Sequence, residues 1–217
     1  MHGLTFDPAS HAYTLDGVRV PSVTGIIGSA VINGVPIMDR RFFTAEARDR
    51  GTYVHECVET INRHGGIGWD SVDPLFRPYV EAYAAFIAVS GFKPMATETR
   101  IASRHYLYAG TIDALGFIGD KATLLDVKSG TAMPYHAYQL GGYSLALAEA
   151  GYRIDQAFVV QVKRDGKFSI HGRLEGDRLH EAERDFLCLR RVHAMAGDPE
   201  PIPNFDPQGG ADDDLEF

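Results

Sequence analysis

With 217 residues, 45% of them hydrophobic, the chain suits a single domain that buries roughly 70% of its unfolded surface, and a second independent domain is not expected. Its two cysteines, Cys57 and Cys188, form no C-x-x-C pair, which excludes a disulfide framework and a cysteine-ligated zinc or iron–sulfur site, and no apolar run approaches the ~18 residues that cross a bilayer. The formal net charge of -8 argues against a polyanionic partner at first sight, but all 21 Lys and Arg lie at or before Arg191 and seven acids follow it, so residues 1–191 sum to -1.

Leu4–Phe6, Ala12–Leu15 and Val18–Val20 read as short strands around turns at Asp7-Pro8 and Asp16-Gly17, a small N-terminal β-meander. Pro21-Ser22 offers a cap for a short helix near Val23–Ile27, and Asn33-Gly34 and Pro36 break the chain after it. Helical apolar spacing then runs from about Asp39 to Arg63, with Gly51 a break or a point of close approach, and a further helix is expected from Pro74 to about Ser90, stopped at Gly91. Three strands follow at about Met95–Ala102, Tyr108–Ile118 and Ala122–Lys128; the Thr123–Val127 run is nearly all apolar, as in a strand buried on both faces. Pro134 opens a helix to about Ala150 that Gly151 ends, Asp155–Lys163 and Lys167–Arg173 form strands around Asp165-Gly166, and a last amphipathic helix covers about Asp177–Ala196. Beyond Gly197, four prolines, two adjacent glycines and an acidic run describe an irregular tail over 198–217. The expected fold is α/β (α+β). One domain covers residues 1–197, with a central mixed sheet flanked by helices, the meander and short helix in 1–36 and the core that carries the chemistry in 93–163.

That chemistry lies in G-T-I-D-A-L-G-F-I-G-D-K-A-T-L-L-D-V-K-S-G, residues 110–130. Asp126 and Lys128 occupy alternate positions of one strand, so both side chains leave one face while Val127 points into the opposite layer. The Gly119-Asp120 turn folds the preceding strand back and brings Asp113 beside Asp126. Two facing carboxylates favour a hard divalent cation such as Mg²⁺ or Mn²⁺, which lowers their repulsion and can polarise a phosphate. Lys128 can orient a water or stabilise charge on phosphoryl oxygens. The bland reading of D-x-K alone is a strand end with a surface ion pair. Against it stand the upstream G-T-I-D and, on the next helix, Gln139 and Tyr143 four residues apart on one face. Gly141-Gly142 between them is costly inside a helix, by about 1 kcal/mol each relative to alanine, and suggests close approach of DNA or of another backbone.

Residues 110–143 resemble the catalytic core of the PD-(D/E)xK nuclease superfamily, in its RecB-like and phage-exonuclease branches, and Gly51-Thr52-Tyr53-Val54-His55 resembles the G-x-x-x-H helix that precedes that core. The resemblance implies a restriction-endonuclease-like core binding one or two Mg²⁺ or Mn²⁺ ions. It implies metal ligation by His55, Asp113, Asp126, the backbone carbonyl of Val127 and, as a second-site ligand, Glu98. Lys128 becomes the catalytic lysine, and Gln139 and Tyr143 the Q-x-x-x-Y element that contacts substrate. Glu59, one turn after His55, is either its orienting partner or a solvated acid. Arg100, Arg104 and His105 near the same sheet are candidates for phosphate contact, or a solvated edge.

The implied activity is a metal-dependent deoxyribonuclease, an exonuclease at DNA ends in phage-type recombination, repair or genome processing. The alternatives are a structure- or sequence-selective endonuclease on the same core, and a DNA-binding or assembly protein without catalysis. DNA is the expected partner, with a single-strand annealing or single-stranded DNA-binding protein and homo-oligomers compatible with the resemblance. No nucleotide cofactor is expected, because the chain has no Walker A motif. An N-terminus without a basic stretch and apolar run, and free cysteines, suit the cytoplasm of a bacterial or phage-infected cell, with no membrane association. The ending D-D-D-L-E-F resembles the acidic tip of bacterial single-stranded DNA-binding proteins, and otherwise reads as a solubilising tail.

Overall fold

The structure, a computed structural model, describes residues 3–32, 34–38 and 44–196. The tail expected over 198–217 and the helix start expected at Asp39 lie outside them. The meander forms as an antiparallel sheet of β1 (Leu4–Asp7), β2 (Ala12–Leu15) and β3 (Val18–Val20). Ser22 caps the short helix α1 (Val23–Ser29) by accepting the Gly25 N–H, and a small hairpin follows as β4 (Val31–Ile32) and β5 (Val35–Pro36), where only a chain break was expected. Thr44 caps α2 (Ala45–His64), which passes through Gly51 without a break.

The helix expected from Pro74 begins later, as α3 (Arg77–Ser90). The Asp73 side chain takes the Leu75 N–H and holds the intervening residues in a turn, so Pro78, not Pro74, sits in the first helical turn. Three strands follow, β6 (Lys93–Ser103), β7 (Tyr108–Ile118) and β8 (Lys121–Lys128), then α4 (His136–Glu149), β9 (Gln156–Val162), β10 (Phe168–Glu175) and α5 (Asp177–Met195).

The central sheet runs β10-β9-β8-β7-β6 and is mixed: β8 and β9 pair in parallel through the α4 crossover, and the other neighbours are antiparallel. Helices cover both faces. Val54, Val58, Tyr83 and Phe86 of α2 and α3 pack with Leu125, Val127, Phe158 and Val160 on one side; Ile26, Leu140, Tyr143 and Phe186 of α1, α4 and α5 pack with Ile112, Leu124 and Val159 on the other. The glycine pair of α4 serves this packing. A Cβ at Gly141 would lie 2.4 Å from the Ala182 carbonyl oxygen, and one at Gly142 would lie 2.9 Å from the Phe186 ring, so the close approach is that of α5. The N-terminal unit is tied to β7 by Ala109 N–H to Pro21 O at 3.0 Å and by the Tyr13 and Thr111 hydroxyls at 2.8 Å. No helix among the described residues is long and apolar enough to cross a membrane.

Candidate metal-binding active site

The site lies where the sheet opens. β7 and β8 pair from Ile118↔Lys121 to Ala114↔Leu125 and no further, while β7 continues along β6 to Tyr108. In the gap the Asp113 carboxylate takes over from the ladder: its Oδ2 accepts the Val127 N–H at 2.6 Å. The β6–β7 register steps from Thr97↔Ala114 to Thr99↔Ile112, and Glu98 in the skipped pair holds φ at 45°. Ile112 joins the core on the α4 side and Ala114 the core on the α2 side, so the pleat of β7 reverses at Asp113. A left-handed conformation is costly for a glutamate, and this one turns Glu98 toward Asp113 and α2.

His55, in α2, reaches the opening from one face. One ring nitrogen lies 3.0 Å from Glu98 Oε1 and the other 3.1 Å from the Val127 carbonyl oxygen, with Asp113 Oδ1 3.7 Å from Nδ1. Both close partners are acceptors, so both nitrogens donate and the ring is protonated. Burial works against that charge, but Asp113 and the Glu98 hydrogen bond outweigh it and lift the pKa to about 9. Glu98 is thus the residue that orients His55. Glu59 pairs instead with Arg63 at 2.7 Å.

From the opposite face α4 supplies Gln139, whose amide donates to Asp126 Oδ1 at 2.9 Å and to the Tyr143 hydroxyl at 3.1 Å. Lys128 Nζ donates to the same Oδ1 at 2.7 Å. Asp126 is fully buried, and its Oδ2 has no hydrogen-bond partner. Burial pushes the Asp126 pKa up, Lys128 opposes this, and Asp113 adds to it. The Lys128 pKa rises despite its own burial because Asp126 and Asp113 hold its proton. Burial, with Asp113 and Asp126, also pushes the Tyr143 phenol well above its ordinary range, so it remains a proton donor.

Ligand atoms of His55, Glu98 and Asp113 all lie within 4.8 Å of one another, and the three can hold a metal ion. Asp126 stands beside this group, with one oxygen committed to Lys128 and Gln139 and the other unmatched. A buried carboxylate oxygen without a donor is rare and costly unless a cation serves it. Carboxylate oxygens with one imidazole are a hard donor set that fits a small divalent ion once the ring is deprotonated.

Residues that sequence reasoning missed hold the site in place. Tyr83 donates to Asn62 at 2.9 Å, Asn62 to Thr97 at 3.3 Å, and Thr97 to the Asp113 carbonyl at 2.9 Å, a chain from the α2 and α3 side that fixes the backbone at the pleat reversal. His136 is buried and accepts the Met133 N–H at Nδ1; burial depresses its pKa to about 4, so it is neutral with its proton on Nε2. Neither group has a sequence signal, because each is defined by partners distant in the chain or by a turn.

Arg104 is not brought to the site. It pairs with Asp16 of the meander, and Ser103 before it lies about 16 Å along β6 from Glu98 at ~3.3 Å per residue. The backbone N–H groups of Arg104 and His105 are both held by Glu149 Oε1. Arg100 stacks over the Phe6 ring at 5.1 Å. Gly51 lies one turn before His55, and a Cβ there would meet no described atom within 4 Å.

No family model and no curated protein matches the chain. Among solved structures, an alkaline exonuclease from Laribacter hongkongensis is similar at 16% identity and a TM-score of 0.33, over 74% of this chain and 90% of that one. Its complex with dAMP is similar at 17% identity and a TM-score of 0.32, over 74% and 92%. The structure of SSO0001 is similar at 14% identity and a TM-score of 0.29, over 51% of this chain; the chain spans only 56% of the length of SSO0001. At such likeness the chemistry of the site rests on its own residues.

Proposed function

We propose that the chain is a Mg²⁺- or Mn²⁺-dependent deoxyribonuclease that hydrolyses phosphodiester bonds at the opening between β7 and β8, most specifically an exonuclease acting at DNA ends. The observation that carries this reading is Asp126, wholly buried with Oδ2 unpartnered, next to Asp113 and a lysine. A surface ion pair does not explain a carboxylate buried this deeply. A cation site does.

His55, Glu98, Asp113 and Asp126 would hold the ion, with the Val127 carbonyl as a further donor once His55 gives up its hydrogen bond there. A bound divalent ion supplies Lewis acidity toward a phosphate oxygen and a bound water. Lys128, anchored on Asp126 and a quarter exposed, carries its charge to the rim, where it orients the attacking water or neutralises charge on the phosphoryl oxygens. Gln139 fixes the Asp126 carboxylate by donating to Oδ1. Tyr143 accepts from Gln139, which leaves its own hydroxyl proton available for a phosphate oxygen. Among the described residues nothing stands over Gly51, on the helical face of His55, and this lets a strand approach the ligands.

End-labelled linear single- and double-stranded DNA and a closed circle, incubated with Mg²⁺, Mn²⁺ or chelator, test the proposal. Metal-dependent shortening of linear DNA with the circle intact is expected. A circle cut as readily as a linear substrate makes the enzyme an endonuclease, and the absence of any metal-dependent cleavage leaves a DNA-binding or assembly protein.

A further inference from the structure

The N-terminal meander and α1 do not only cover the sheet; with β7 they border a half-open cavity of about 290 Å³ that reaches Tyr143. Its polar lining comes from His11, Tyr13, Ser22, Thr24, Thr111 and Tyr143. The Tyr143 hydroxyl is one hydrogen bond from Gln139, which holds Asp126, so an occupant lies next to the candidate metal site. Gly110 also lines the cavity. A Cβ there would stand 2.6 Å from Tyr143 Cε1, so only glycine lets this ring lie against β7 as the wall between cavity and site.

We propose that this cavity is a nucleoside subsite, which receives the base and sugar of one unpaired nucleotide of the DNA strand next to the phosphodiester handled at Asp126, and thereby makes the site select single-stranded ends. The proposal rests on the nuclease reading above and adds a substrate class to it. Five of the lining groups are hydroxyls, and among the described residues no Lys, Arg, Asp or Glu side chain contributes. A phosphate is therefore poorly served, because charge-assisted partners are missing; Arg100 is engaged over Phe6 instead. A purely apolar ligand would use none of the remaining hydrogen-bonding capacity of Thr24, Thr111 and Tyr143. A nucleobase offers both a flat face for the exposed His11 and an edge of donors and acceptors for the hydroxyls. Tyr13 and Thr111 share one hydrogen bond, Ser22 accepts the Gly25 N–H and Tyr143 accepts from Gln139, so each hydroxyl brings only its remaining capacity to a base edge, and the subsite does not read sequence. Its volume is at the lower end of ligand-sized cavities, about 300–1,000 Å³, which suits one nucleoside and not a base pair. A duplex must therefore unpair its terminal nucleotide before the adjoining phosphate reaches Asp126.

The test reads binding in chelator, apart from cleavage. A fluorescein-labelled single-stranded octanucleotide and a series carrying one abasic residue at each position are titrated with the full chain, and affinity is followed by anisotropy. One position should stand out with affinity about tenfold weaker when abasic, within the range for loss of one stacked base. A blunt duplex should bind more weakly than the single strand. Thr24 is exposed at the cavity, and Thr24→Trp should fill it, so that the intact strand binds no better than the abasic one. Thr24→Leu, a smaller plug, should give an intermediate loss and serves if the tryptophan variant melts early. An abasic series flat within twofold overturns the proposal, as does a folded Thr24→Trp that keeps the full base dependence. Cleavage with a flat abasic series sinks the subsite and leaves the nuclease; a base-dependent position without metal-dependent cleavage does the reverse.

Discussion

Asp113 Oδ2 accepts the backbone N–H of Val127 at 2.6 Å where β7 and β8 cease to pair. One carboxylate thereby replaces a rung of the sheet ladder and leaves its other oxygen facing His55 at 3.7 Å. The two jobs separate by substitution. Asp113→Ala strands a buried N–H and should lower stability by about 1–3 kcal/mol in addition to weakening metal binding. Asp113→Asn keeps an acceptor for Val127, and should lose metal affinity with the smaller loss of stability. Urea unfolding in chelator, beside a Mn²⁺ titration, checks the split; equal destabilisation by both variants would show that the hydrogen bond is dispensable.

The protonated His55 fills the place of a cation among Glu98, Asp113 and the Val127 carbonyl. With a folded pKa of about 9 against an ordinary 6.5, it contributes stability that is complete below about pH 6.5 and is lost as pH rises through about 9. Ligation needs the neutral ring, so metal binding at pH 7 should release about one proton, and apparent affinity should rise up to tenfold per pH unit toward pH 9. Calorimetry in two buffers of different ionisation heat measures the proton count, and His55→Gln should bring it near zero.

Lys128 is the cation nearest to a carboxylate that burial already pushes up. Lys128→Met should cut turnover by about 10²–10³-fold. It should also raise the Asp126 pKa further, so the metal-free variant binds more protons folded than unfolded and loses stability as pH rises above the ordinary carboxylate range. Mn²⁺ should restore more melting temperature to the variant than it adds to the parent. A variant with unchanged turnover would remove Lys128 from the chemistry.

Gly51 sits inside α2, and no described residue comes within 4 Å of where a Cβ would be. Gly51→Ala should therefore stabilise the chain by about 0.5–1 kcal/mol, the usual gain in a helix interior. The same methyl group narrows the approach to His55, so KM for DNA should rise while metal affinity stays constant. A more stable variant with unchanged KM would make Gly51 irrelevant to substrate.

Gly141 behaves in the opposite sense. A Cβ 2.4 Å from the Ala182 carbonyl must push α5 off α4, and Gly141→Ala should lower stability by about 1–3 kcal/mol. Chemical unfolding measures this directly, and a neutral result would mean that the two helices separate freely.

Much of this site could be read from local pattern. Asp126 and Lys128 share a face of β8 because side chains alternate along a strand, and the turn at Gly119 brings Asp113 back toward them. The spacing of Gln139 and Tyr143 put both on one side of α4. The identity of the His55 partner was not legible: Glu59 had the right helical spacing, yet Glu98, 43 residues away, makes the contact. Arg104 looked available for phosphate until the meander supplied Asp16.

The sequence by itself determined the order of the main strands and helices and the placing of Asp113, Asp126 and Lys128 near one another, since periodicity and turn chemistry depend on neighbours a few residues apart. Only the tertiary structure decided how the pleat reverses at Asp113, which acid orients His55, why α4 carries paired glycines, and that the N-terminal meander borders a cavity beside Tyr143. These depend on backbones and side chains that meet from distant parts of the chain, where close packing and the need to satisfy buried polar groups select one arrangement that no local pattern specifies.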